Sequence, residues 1–183
     1  MPQYIALLRG INVGGHRVKM DRLRTLFEEL PFEDVSTFIA SGNVIFSADS
    51  DDVDSLIDAI EGHLERELGY EVATFLRTPT QLAELSAVME ETEDASGASS
   101  PSHYVMFLKT PPPESLCLAL ADLNSETDAF EISNREIHWR IQGKLSESPL
   151  FGPGIDRVTR GVPMTVRNMN TVRRLVVKTG FQP

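Results

Sequence analysis

The residues with the clearest chemical potential form one basic, glycine-rich segment, RGINVGGHRVKM at residues 9–20. Its glycines permit positive φ and close approach of the backbone to a ligand. Free backbone N–H groups and nearby cations together favour an anion. We therefore expect a phosphate-bearing ligand at this segment, which also has a fourth cation, Arg22, one turn into the following helix. The candidate ligand-binding residues here are Arg9, Asn12, Gly14, Gly15, Arg17 and Lys19.

Two further polar junctions are candidates for the same site. The first lies between two predicted strands and consists of Ser41, Gly42 and Asn43. The second leaves a strand and enters a helix, and consists of Arg167, Asn168, Asn170 and Thr171. Arg167 offers a planar fork for carboxylate or phosphate, whereas Asn168 could either bind a ligand or cap the helix. Our hypothesis is that Arg167 and Asn168 complete the pocket, and the alternative is that the junctions lie far apart.

Other kinds of site fit the sequence less well. Gly10 and Gly15 have Walker A spacing, but His16-Arg17 replaces the Lys-Ser/Thr pair that contacts phosphate and magnesium. The four histidines share no metal-ligand spacing, and the single cysteine, Cys117, lies in an apolar run typical of a core. We expect no metal site and identify neither a cofactor nor a catalytic residue. His16 could act as an acid or base, or could be a solvated loop histidine.

Hydrophobic periodicity and turn residues predict a repeated order of elements. Predicted strands occupy 3–9, 35–40, 44–47, 71–77, 103–109, 126–133, 136–141 and 163–167. Predicted helices occupy 20–30, 49–68, 78–91, 113–123, 155–161 and 168–178. Each half therefore has the order βαββαβ followed by a helix, which is the split βαβ, ferredoxin-like unit.

The fold class that follows is α+β, with two tandem ferredoxin-like halves and mostly antiparallel sheets. We assign residues 1–91 to the first half, 92–102 to a linker, and 103–183 to the second half with its terminal helix. A 4-1-3-2 strand order would bring the 9–20 segment beside the Ser41–Asn43 turn. It would put Arg77 on the opposite edge, where a structural role is expected.

Charge is distributed unevenly along the chain. The net charge of −10 comprises +4 in residues 1–24, −18 in residues 25–144 and +4 in residues 145–183. Such asymmetry indicates a local anion site on an acidic body and argues against broad DNA binding. No apolar run reaches the ~20 residues of a membrane span, so we expect a soluble, cytoplasmic protein without a membrane partner. The sequence does not indicate an oligomeric state.

Three motifs, LLRGINVGGHRVKM, TFIASGNVIF and TVRNMNTVRRL, resemble the uncharacterised-domain family DUF1697. The resemblance runs along nearly the whole chain and implies an α+β fold of two ferredoxin-like halves in a small, mostly bacterial, soluble protein. It implies no activity. The chain departs from the family pattern at Met169, where tryptophan usually stands between two asparagines, and in lacking an Asn-Pro segment before the fifth strand.

Three functions remain open at this point. The chain could bind a phosphate-bearing ligand such as a nucleotide or a short single-stranded RNA. Tyr4 and Phe38 are the strand aromatics that RNA stacking on the sheet would use. It could instead be a small enzyme acting on a phosphorylated or carboxylated metabolite at the same site. The third alternative is a protein-interaction module.

Overall fold

The protein contains two four-stranded antiparallel sheets. The computed structural model describes residues 1–12, 15–93 and 102–181, with the backbone alone at 88–93. Strand order is β2-β3-β1-β4 in the first sheet and β6-β7-β5-β8 in the second. Both are the ferredoxin-like 4-1-3-2 order read from the other edge, so the predicted fold class is confirmed.

The first sheet and its helices follow the predicted order. The elements are β1 (Gln3–Leu8), α1 (Met20–Glu28), β2 (Phe32–Phe38), β3 (Asn43–Ala48), α2 (Val53–Leu68), β4 (Thr74–Arg77) and α3 (Pro79–Glu93). Asp52 accepts from the Ser55 N–H at 3.1 Å and so caps α2, which ends at left-handed Gly69. These caps explain the predicted end of the helix at Leu68, whereas its predicted start at residue 49 is four residues too early.

Helices α1 and α2 cover one face of the first sheet. Leu23, Leu26 and Phe27 of α1 are fully buried against alternate residues of β1 and β3 such as Phe46. Tyr4 belongs to this core, and its hydroxyl donates to the Ser50 carbonyl at 2.9 Å. The expectation that Tyr4 could stack on RNA is therefore wrong, because its ring is 3% exposed.

The second sheet repeats the arrangement. Its elements are β5 (Ser102–Leu108), α4 (Glu114–Asp122), β6 (Asp128–Ser133), β7 (Glu136–Ile141), a 3₁₀ turn (Leu145–Glu147), α5 (Pro153–Val158), β8 (Met164–Asn168) and α6 (Met169–Thr179). Its core contains Met106, Leu116, Leu120 and Trp139. The indole N–H of Trp139 donates to the buried Asp128 carboxylate at 2.8 Å.

The chain divides into two compact units, Met1–Ala83 with Leu175–Pro183, and Glu84–Arg174. Residues 94–101 of the predicted linker lie outside the described residues. The assignment of residues 1–91 and 103–183 to separate halves stays a prediction.

Candidate anion-binding site

The segment after β1 is held between two neighbouring loops of the first unit. The Leu8 N–H donates to the Gly42 carbonyl at 2.8 Å, and the Arg9 N–H donates to the Ala73 carbonyl at 2.8 Å. The first bond joins the segment to the β2–β3 turn, and the second joins it to the residues before β4. We call residues 9–19, between β1 and α1, the basic loop.

The β2–β3 turn packs directly against this loop. A Cβ atom on Gly42 would lie 2.5 Å from Ile11 Cγ2 and 3.3 Å from Leu8 Cβ, and Gly42 has a φ of 76°. Both the contact and the backbone angle therefore require glycine. The prediction that the Ser41–Asn43 turn lies beside the basic loop is confirmed.

Asn12 links the loop to the turn through both ends of its amide. Its Nδ2 donates to the Ala40 carbonyl at 2.9 Å, and its Oδ1 accepts the Val18 N–H at 2.8 Å. Asn12 thereby connects the backbone of the β2–β3 turn at Ala40 to the backbone of the basic loop at Val18. This geometry gives Asn12 a positioning role within the loop, and its direct contact with a ligand stays a prediction.

The turn between β2 and β3 is longer than the predicted tight turn. The strands pair at Phe38 and Asn43, which leaves residues 39–42 as the turn. Asn43 is fully buried, and its amide donates to the Phe38 carbonyl at 3.0 Å and to Ser41 Oγ at 2.8 Å. Asn43 therefore shapes the turn, while Ser41 stays at the surface.

Ile39 in the same turn adopts an uncommon backbone conformation. Its φ is 51°, a left-handed value that is costly for a β-branched residue, and its side chain is 38% exposed. Strain of this kind persists only where the surrounding structure imposes it, and it is concentrated at ligand sites and switches.

The basic loop carries three exposed cations, Arg9, Arg17 and Lys19. None of them forms an ion pair within the described part of the chain. Arg22 does not join them, because its guanidinium lies 3.1 Å from Glu29 and 2.8 Å from Glu67. Those contacts connect α1 to α2, so the expectation of a fourth cation around the loop is wrong.

Helix α1 begins at the end of this loop without a side-chain cap. Lys19 occupies the N-cap position in an extended conformation, and its side chain makes no capping hydrogen bond. The first N–H groups of the helix are thus left for water or a ligand. A Cβ atom added at Gly15, which has a φ of 92°, would meet no described atom within 4 Å, whereas Gly14 lies outside the described residues.

His16 lies in the loop between Gly15 and Arg17 and is exposed. Its ring stacks on Tyr70, with centroids 3.8 Å apart and planes inclined by 26°. Tyr70 follows α2 and packs against the first core. His16 therefore has a fixed orientation, which the sequence reading of a solvated histidine did not anticipate.

The C-terminal motif belongs to β8 and the start of α6. Arg167 is buried, and its Nη1 donates to Thr165 Oγ1 at 2.8 Å and to the Val166 carbonyl at 2.9 Å. Burial lowers its pKa to about 10. Asn168 Oδ1 accepts the Asn170 N–H at 2.8 Å, which confirms the capping alternative.

Ligand roles for Arg167, Asn168, Asn170 and Thr171 stay predictions, as does their completion of one pocket with the basic loop. The burial of Arg167 differs from the exposed fork that the sequence suggested. The physical reason is its place on β8, where it pairs with Val105 of the central strand β5. Asn170 is exposed and Thr171 is half-buried.

The two units provide an internal comparison. Arg77 pairs with Ile5 as Arg167 pairs with Val105, and each guanidinium donates to the carbonyl of the preceding residue. The Leu108 N–H donates to Arg135 O at 2.9 Å, as Leu8 does to Gly42. Yet the connection from the first strand to the first helix has eleven residues, 9–19, in one unit and five, 109–113, in the other. The basic loop therefore exceeds what the fold requires.

Sequence reasoning missed a buried pair of histidines in the second unit. His103 Nε2 and His138 Nδ1 lie 3.3 Å apart on β5 and β7. Burial lowers the pKa of His103 to about 3, and it also lowers the pKa of His138. The two histidines are 35 residues apart in the sequence, which is not a spacing typical of metal ligands. They come together because of the register in which β5 and β7 pair.

The described residues contain no group of three His, Cys, Asp or Glu side chains that could hold a metal ion. Among the helices of residues 1–12, 15–93 and 102–181, none is both long and apolar enough to cross a membrane.

Comparison with known proteins gives a fold and a family. The structure of the conserved bacterial protein SP0830 from Streptococcus pneumoniae is similar over 99% of both chains, with a TM-score of 0.72 and 20% sequence identity. No curated protein has a significant sequence match. The model of the family described as "Protein of unknown function (DUF1697)" matches residues 1–138, a range that includes the basic loop and the β2–β3 turn but ends before residues 165–175. The chain therefore belongs to the DUF1697 family.

Proposed function

We propose that the basic loop, together with the β2–β3 turn, binds a phosphate-bearing anion. The observation that carries the proposal is the set of three exposed cations, Arg9, Arg17 and Lys19, on a chain with a net charge of −10. The surrounding carboxylates would be expected to attract these cations. By contrast, Arg22 and Arg24, which follow the loop on α1, do form ion pairs, with Glu29 and Glu67 and with Glu28.

The backbone supports the same proposal. The uncapped start of α1 directs N–H groups and the positive end of the helix dipole toward the end of the loop. Gly10 and Gly15 have φ values of 81° and 92°, so the chain turns at both without a side chain in the way. Positive side chains and free amides together favour phosphate over a neutral ligand.

The length difference between the units is a further argument. The second unit builds the same sheet with a connection that begins Lys109-Thr110 and continues with three prolines. The first unit uses six more residues, and its connection of eleven contains three glycines and three cations. Ordering extra loop residues costs conformational entropy, which a binding role would offset.

Isothermal titration calorimetry with inorganic pyrophosphate tests this proposal. We expect binding that weakens by about fivefold for each of Arg9→Ala, Arg17→Ala and Lys19→Ala, as removal of one exposed charge contact should give. Arg24→Ala is the matched control, because it removes the same charge from an exposed arginine that is already paired with Glu28.

Two results would contradict the proposal. The first is an equal loss of affinity for Arg24→Ala and Arg17→Ala, which would mean that the anion responds only to the overall charge of the protein. The second is the absence of binding at millimolar pyrophosphate in low salt. An enzyme acting at this loop would additionally turn over a phosphorylated substrate in a reaction that His16→Ala abolishes.

A further inference from the structure

The stacked pair of His16 and Tyr70 has a geometry suited to a second part of the ligand. One face of the His16 ring lies on Tyr70 with centroids 3.8 Å apart, and the residue is nevertheless exposed. The imidazole thus keeps exposed surface although Tyr70 covers one of its faces. A flat ring supported from beneath is a surface on which another flat ring can stack.

Tyr70 supports His16 through its ring rather than its hydroxyl. It packs against the core of the first unit, and burial raises its pKa. Its hydroxyl is buried and has no hydrogen-bond partner among the described residues. Among the described residues, Tyr70 therefore contributes its aromatic surface to this contact and no hydrogen bond.

The position of His16 relates this surface to the anion site. It precedes Arg17 directly and lies three residues before Lys19, so the ring and the cations belong to the same loop. The chemical class that combines a flat heterocycle with phosphate at this scale is a nucleotide.

We propose that His16, supported by Tyr70, stacks on the base of a nucleotide whose phosphate is bound by the basic loop. This inference rests on the proposed function and specifies its ligand. It assigns His16 a contact role that requires no proton transfer. The base-bearing phosphate can be a free nucleotide or part of a single strand, and the recognition chemistry is the same in both.

The test compares AMP with ribose 5-phosphate, which differ by the base, and uses inorganic pyrophosphate as the anion alone. Stacking on an aromatic side chain should make AMP bind about tenfold more tightly than ribose 5-phosphate. His16→Ala should remove that difference while leaving pyrophosphate affinity within about twofold. His16→Phe should restore the preference for AMP, because phenylalanine keeps a stacking ring.

The Tyr70→Phe variant tests whether the ring of Tyr70, rather than its hydroxyl, supports His16. Tyr70→Phe keeps the ring and removes the unpartnered hydroxyl, so the preference for AMP should persist with unchanged or higher thermal stability. Loss of the preference in a folded Tyr70→Phe protein would overturn the proposed role of the ring. A titration with tetraadenylate distinguishes a free nucleotide from a single strand as the ligand. A His16-dependent affinity for tetraadenylate well above that for AMP would identify a single strand.

The two proposals fail in different ways. Equal affinity for AMP and ribose 5-phosphate in the unaltered protein would overturn base stacking and leave anion binding intact. Base stacking would also be overturned if His16→Ala weakened the binding of pyrophosphate as much as that of AMP, because His16 would then contribute through its charge. If none of the phosphates binds, both proposals are wrong.

Discussion

At the scale of single residues, the buried polar side chains do most to fix the local geometry. Asp128 is 1% exposed, and its carboxylate accepts from Trp139 Nε1, Ser148 Oγ and Thr127 Oγ1 at 2.8, 2.6 and 2.7 Å. A buried charge is tolerated only when it is hydrogen-bonded in this way. The sequence showed Asp128 only as the third residue of a predicted strand, because its most distant donor, Ser148, lies 20 residues away.

Replacing Asp128 therefore has a predictable cost. Asp128→Ala should lower the free energy of unfolding by about 3 kcal/mol, because the indole N–H and the Ser148 hydroxyl lose a charged acceptor inside the core. Urea denaturation followed by Trp139 fluorescence measures this value. Asp122→Ala, at an exposed position of α4, is the control and should change stability by less than about 0.5 kcal/mol. Equal effects of the two substitutions would contradict the assigned network.

Two glycines of the candidate site offer a matched pair of substitutions. Both have positive φ, 76° at Gly42 and 92° at Gly15, but only Gly42 has a neighbour, Ile11, within 4 Å of an added methyl group. Gly15→Ala should cost about 1 kcal/mol from backbone strain alone. Gly42→Ala should cost about 2 kcal/mol more, because Ile11 or the turn must move. Thermal unfolding measures both, and a smaller effect at Gly42 would mean that the turn is not packed against the loop.

At the scale of elements, the sequence predicted what depends on local patterns. Apolar spacing located α1 and α2, and the Thr78-Pro79 pair marked the start of α3, where Thr78 Oγ1 accepts the Gln81 N–H at 3.2 Å. Partners that depend on strand register or helix packing could not be predicted. Arg22 meets Glu67 across 45 residues, and Arg167 becomes buried because of its position on β8. Asn43 likewise points inward since it begins β3 rather than ending a turn.

The second sheet gives another example of a contact that depends on strand register and could not be predicted from the sequence. His138 pairs with Val105, at the register position that Ile45 occupies opposite Ile5 in the first sheet. The fold therefore accepts an aliphatic residue there, and the histidine pair is a particular feature of the second unit. Among the described residues, Glu131, Glu136, Arg140 and Arg173 contribute charges near this pair.

The histidine pair should make stability depend on pH. Both folded pKa values lie below the ordinary value of 6.5, and that of His103 is about 3. Well above pH 6.5 the imidazoles are neutral in folded and unfolded chains, so their contribution is constant. As pH falls below 6.5, the unfolded chain takes up protons that the folded chain does not, and stability decreases by about 1 kcal/mol per pH unit through His103, with a further decrease through His138.

Urea denaturation at intervals between pH 7.5 and 5 measures this dependence above the range where most carboxylates titrate. His138→Ile should flatten the curve, since it removes one buried imidazole and restores the residue type of the first unit. His63→Gln is the control, because His63 pairs with Glu29 near the surface. If His138→Ile left the slope unchanged, the pair would not be the source of the dependence.

At the scale of the whole molecule, the repeated order of elements was predicted and both sheets confirm it. Residue identity between the units is low, so their equivalence becomes visible only through register: Tyr4 opposite Phe46 matches Tyr104 opposite Trp139. Against that common plan, the basic loop is the clearest difference in the first unit and the buried histidine pair the clearest in the second. The division of charge along the chain, with −18 in residues 25–144, makes three loop cations without an ion pair among the described residues the more notable.

The most direct test of the anion site is an amide NMR titration of the ¹⁵N-labelled protein with AMP, with sodium chloride at matched ionic strength as the reference. The largest shifts should occur at the backbone amides of Gly10, Gly15 and the first turn of α1, with smaller shifts at Ser41. They should saturate with a single dissociation constant and be lost in the Arg9→Ala, Arg17→Ala double variant. Shifts absent at millimolar AMP, or centred on residues outside the basic loop and the β2–β3 turn, would contradict the assignment of the site.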